Sequence, residues 1–199
     1  MASEVEIVNV ALTLLGEARI LSLDDDVKPA REAKAIFTSQ RDKLLAAYNW
    51  SFAKTRAQLS ADATAPAFEW DYAYTMPAEC LRLLQVGDEY AGIDLTDYRG
   101  ANTALFTIEG RKILTSLGAP LNIRYVQRIT DTTMFHVCFN ELLSARLAEE
   151  LCEPLTQSDS KRARAIEFRK ESLRDAIRAN AIELPPQKLA DDEWVMSRL

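Results

Sequence analysis

Between Met134 and Leu155 the chain reads MFHVCFNELLSARLAEELCEPL. Drawn as a helix, this stretch carries apolar side chains on almost every face: Phe135, Val137, Cys138, Phe139, Leu142, Leu143, Leu147, Leu151 and Cys152. A helix at a protein surface shows an apolar stripe, whereas one that is apolar most of the way round has to be enclosed by neighbours. This segment therefore needs several packing partners, and the rest of the chain has to supply them. Pro154 is expected to end it.

Three other stretches have the periodicity to do so. Residues 3–15 repeat apolar side chains at Val5, Val8, Leu12 and Leu15, widened by Ile7, Ala11 and Leu14. Ser3 and Glu6 have capping-box spacing, and Gly16 stands where a helix stops in the left-handed conformation. A second helix is expected from Pro29 to about Tyr48, with Ala33, Ile36, Phe37, Gln40, Leu44 and Ala47 on one face. Gln40 alone is polar there. The acidic run Asp24-Asp25-Asp26 lies just ahead of this helix, where carboxylates complement the N-terminal dipole. A fourth, amphipathic helix follows Pro154 and is stopped by Pro185-Pro186.

Between these pairs the period changes from helical to twofold. Phe68, Trp70, Tyr72 and Tyr74 alternate with Glu69, Asp71, Ala73 and Thr75, the pattern of a half-buried strand. Residues 80–93 read as strand, Gly87-Asp88 turn and strand, and residues 104–116 as a hairpin turning at Glu109-Gly110. In 121–129, Ile123, Tyr125 and Gln127 alternate with Arg124, Val126 and Arg128. The expected class is α+β. A four-helix body of two N-terminal helices (1–60) and two C-terminal helices (132–184) encloses an antiparallel β insertion (61–131), followed by a tail (185–199). A length of 199 residues suits one such domain, since roughly 70% of the unfolded surface can be buried at this size.

The joint between the first helices and the β insertion is LLAAYNWSFAKTRAQL, Leu44 to Leu59. Tyr48, Trp50 and Phe52 straddle a break in the helical pattern at Asn49, and Lys54 and Arg56 follow. A cluster of large aromatics at such a break is usually a buried structural knuckle. Lys54 and Arg56 then point to solvent or to a partner.

Chemistry-bearing motifs are sparse. The one histidine, His136, lies two positions from Cys138, and i,i+2 residues on a helix do not face each other. His136 is read as a core or edge residue, and Asp24–Asp26 as a solvated approach to the second helix, because no turn-forming Gly spaces those carboxylates for a cation. No glycine-rich phosphate loop occurs. Cys80, Cys138 and Cys152 are odd in number and widely spaced, as expected of reduced thiols. No catalytic set, cofactor or metal is expected. The apolar N-terminus is interrupted by Glu6 and Asn9 and lacks a basic lead, so neither a signal peptide nor a membrane span is expected there, and the chain is read as cytoplasmic.

The net charge of −6 and pI of about 5.0 disfavour a chain that grips phosphate. The strongest rival to that view is the helix from Lys161 to Arg178, with Lys161, Arg162, Arg164, Arg169, Lys170, Arg174 and Arg178, which could serve a nucleic-acid-binding regulator. Glu167–Lys170, Glu171–Arg174 and Asp175–Arg178 interleave on it as i,i+3 pairs, so a salt-bridged helix face is the simpler reading.

Four blocks of the sequence, in order, resemble the tail tubular protein A family of short-tailed bacteriophages and prophages. The first carries Leu15-Gly16-Glu17, Ile20 and Ser22-Leu23-Asp24, then Arg41-Asp42, Leu44-Leu45, Trp50, Phe52-Ala53 and Arg56. Asn49 stands where that family commonly has Pro, and Ser51 where it commonly has Asn. The others are FEWDYAYTMPAECLRLLQV, the stretch from IRYVQRITD through LAEELCEPLTQS, and the terminal EWVMSRL. The resemblance implies a non-enzymatic head-to-tail adaptor. Such a subunit forms a ring, typically dodecameric, between the portal protein and the tail nozzle, a tail tubular protein B-like component. DNA passes through the channel without specific binding, no membrane is involved, and the ring belongs to the virion, assembled in the host cytoplasm. Under that reading Trp194, Val195, Met196 and Leu199 of the tail, with Lys54 and Arg56, are the expected partner-contacting residues.

Overall fold

Ser3 starts the first helix, α1 (Glu4–Leu15), by a complete capping box. Its hydroxyl accepts from the Glu6 N–H at 3.2 Å, and its own N–H donates to the Glu6 carboxylate at 2.7 Å. Gly16 ends the helix at φ 70, and its N–H reaches back to the carbonyls of Leu12 and Thr13. The left-handed φ is one that only glycine adopts at no steric cost. The computed structural model describes residues 2–87 and 106–183.

α2 (Lys28–Ala47) follows, with Pro29 in its first turn. The acidic run does not cap it: the N-cap is Val27, and no acidic residue lies in the first turn. Instead Asp25 accepts the N–H groups of Leu21 and Ser22, closing the turn before the helix. Asp24 and Asp26 pair with Lys34 and Arg31 at the surface. Asn9 clamps this connector to α1 by both amide atoms, donating to Ile20 O at 2.9 Å and accepting from Ile20 N at 2.8 Å. That places Ile20 in the core.

α3 (Val137–Thr156) is the enclosed helix, packed against α1, α2 and α4 (Asp159–Ile182). Ser144 reaches Ile7 O on α1, and the Leu15 carbonyl receives Lys161 from the start of α4, so α1 runs parallel to α3. Gln40 meets Arg146, and Lys28 meets Pro154 O, so α2 runs antiparallel to α3. α4 returns antiparallel, with Arg169 on Glu149. Two sequence expectations shift. Pro154 lies inside the last turn and the helix ends at Thr156, with Gln157 at φ 49, because a proline this close to the C-terminus removes only one hydrogen bond. At the other end the helix begins at Val137, which is exposed, because a 3₁₀ turn (Thr132–Met134) and the N-cap His136 precede it. α4 ends at Ile182, before the proline pair, which lies outside the described residues.

The described β residues form two antiparallel three-stranded sheets. β1 (Lys54–Leu59), β6 (Leu121–Gln127) and β3 (Cys80–Val86) make one in the order β1-β6-β3. β2 (Tyr72–Thr75), β5 (Lys112–Thr115) and β4 (Thr107–Glu109) make the other in the order β2-β5-β4. The strand block therefore begins at Lys54, ahead of residue 61. The strand expected from Phe68 shortens to Tyr72–Thr75. Glu69 at φ 74 breaks the extended run, and Phe68 is 79% exposed. The hairpin turn is Gly110-Arg111, one residue later than expected, with Glu109 facing Lys112. The strand expected after Gly87 lies outside the described residues.

Two apolar cores result. The larger fills the helical body and takes in Val126 of β6. The smaller lies between the sheets, with Tyr74, Leu83, Ile113, Leu121, Ile123 and Tyr125. β6 thus shows one face to each: the alternation of Ile123 and Tyr125 against Arg124 and Val126 is a division between two environments.

Candidate functional site

The joint between the modules is a knuckle built from aromatic packing and backbone capture. Trp50 is 1% exposed and donates its indole N–H to Leu44 O at 2.8 Å, folding back over the end of α2. Its ring lies 5.2 Å from Phe139 and 6.2 Å from Phe52, and Phe52 in turn lies 5.1 Å from Phe139. A 3₁₀ turn (Ser51–Ala53) then redirects the chain into β1. Asn180 of α4 holds this turn with both ends of its amide, accepting from Ser51 N at 2.7 Å and donating to Asn49 O at 3.1 Å. Arg82 donates to the Asn49 side chain. One position after another at this joint is committed to holding the modules together.

Beyond the knuckle, one face of β1-β6-β3 is only partly covered by the helical body. Val126 is buried under it, while the other end of the face stays open. Register places Arg56 directly opposite Arg124 and Gln58 opposite Asn122, with Gln85 of β3 beside Arg124. Together with Gly87 they line a cavity of about 510 Å³. Lys54 is two residues before Arg56 and so on the same face. Burial, and then the charge of Arg124, hold its amine below the ordinary value of 10.5. None of the ion pairs among the described residues uses Lys54, Arg56 or Arg124. Like charges facing each other across a strand pair cost stability. Three such cations without a carboxylate among the described residues suit an anionic ligand.

Of the residues expected to meet a partner, Lys54 and Arg56 are brought together here, and Arg124 joins them. Arg124 was readable as an outward residue of an alternating strand, but its pairing with Arg56 spans 68 positions of sequence and has no local signal. Trp194, Val195, Met196 and Leu199 lie outside the described residues.

Several of the other candidates have structural occupations. His136 caps α3, with Nδ1 accepting from Cys138 N at 3.3 Å and Nε2 lying 3.6 Å from the Glu183 carboxylate. Along Lys161–Arg178, Lys161 is spent on Leu15 O, Arg162 faces Glu153 at 3.8 Å, Arg169 pairs with Glu149 and Lys170 with Glu167. Of the three expected i,i+3 pairs only Glu167–Lys170 forms among the described residues, and the exposed Arg164, Arg174 and Arg178 make no ion pair there. Among the described residues no group of three His, Cys, Asp or Glu side chains is arranged to hold a metal, and no helix is long and apolar enough to cross a membrane.

Among the described residues the architecture is α+β, with four helices and two small antiparallel three-stranded sheets. No family model and no curated protein matches the chain.

Proposed function

We propose that the chain is a structural subunit of a short-tailed phage or prophage particle. It would act as a head-to-tail adaptor that packs with copies of itself into a ring, dodecameric in the virion, between portal and nozzle. DNA would traverse the ring without being bound. The observation that carries this reading is where the resembling residues sit. Gly16 forms the left-handed cap, and Ile20, Leu45, Trp50 and Ala53 are buried. Arg41 and Asp42 form a pair 2.9 Å apart that is extended to Arg128 after β6. The shared pattern thus falls on a helix cap, on core positions of the helical body and on the joint to the sheets, which is what a resemblance in fold would preserve.

Two further features support a subunit with neighbours. Helical and β modules present separate outer surfaces. Large apolar side chains stand out on both: Leu21 is 93% exposed, and Phe68, Val137 and Ile182 are similarly uncovered. Isolated exposed apolar residues are ordinary, but a ring would give these a place to be buried.

The test is electron microscopy of the purified chain, alone and mixed with portal rings from the same genome. A ring, or a collar added beneath the portal, is the expected result. Bare portals together with salt-dependent binding of the free chain to duplex DNA would instead favour the nucleic-acid-binding reading of residues 161–178.

A further inference from the structure

We draw no further inference here: the strongest candidate, the cationic face of β1-β6-β3 on which Arg56 lies opposite Arg124 with Lys54 two residues away, carries none because nothing in the structure shows what covers it.

Discussion

The helical body and the β1-β6-β3 sheet treat charge in opposite ways. In the body, cations that enter the interior are met: Arg146 contacts Gln40 at 3.0 Å and Glu149 at 3.2 Å, and Arg169 completes the group from α4. This explains how α2 can bury Gln40, only 4% exposed yet bonded to a guanidinium, and its neighbour Arg41 is met in the same way by Asp42. On the sheet, Arg56 faces Arg124 and neither pairs with a carboxylate among the described residues. Buried polar groups left unpaired are costly, so an interior selects for partners. An open face can tolerate repulsion because water screens it.

The contrast is sharpest at its extremes. Trp50→Ala removes the aromatic that seals the knuckle and should cost about 3–5 kcal/mol in a chemical unfolding titration. A loss below about 1 kcal/mol would mean the body is not closed at this joint. Asn180→Ala leaves the Ser51 N–H and Asn49 carbonyl without their partner and should cost about 1–3 kcal/mol by the same measurement. Ile113→Val in the smaller core should cost about 0.5–1.5 kcal/mol. Its effect should be felt in hydrogen exchange of the sheets before that of the helices if the two cores loosen separately.

The smallest effect lies on the cationic face. Arg124→Gln should leave stability unchanged or raise it by a few tenths of a kcal/mol at low salt, the reverse sign of an ordinary surface loss. It should also let the Lys54 amine rise toward 10.5, followed by NMR of the side chain, because the second cause of its depression is gone. In the folded chain the lowered value means that charged Lys54 costs stability at neutral pH. That cost disappears as pH rises through the folded value toward 10.5, so stability from this group increases over that window. The variant should narrow the increase.

Sequence reading succeeded where structure is local. The Ser3–Glu6 box, the Gly16 stop and the enclosed α3 all announce themselves within a few residues. β1 did not, because Lys54–Leu59 carries no strong apolar alternation, and its partner is β6, far along the chain. β2 was read too long, because aromatic alternation at Phe68 and Trp70 gives no hint of the turn at Glu69. The site was half legible for the same reason. Lys54 and Arg56 are neighbours in sequence, but Arg124 becomes their neighbour only when the sheet forms.

The double hydrogen bond from Asn180 has a mechanical consequence. It fastens the last turn of α4 to the residues from which β1 departs. A pull applied to the chain beyond Glu183 would therefore load the hinge between the modules before it loads either core. The chain's two ends are thus unequal as handles: tension on the C-terminal one acts where the modules meet, while tension at Ser3 would have to fray α1 first.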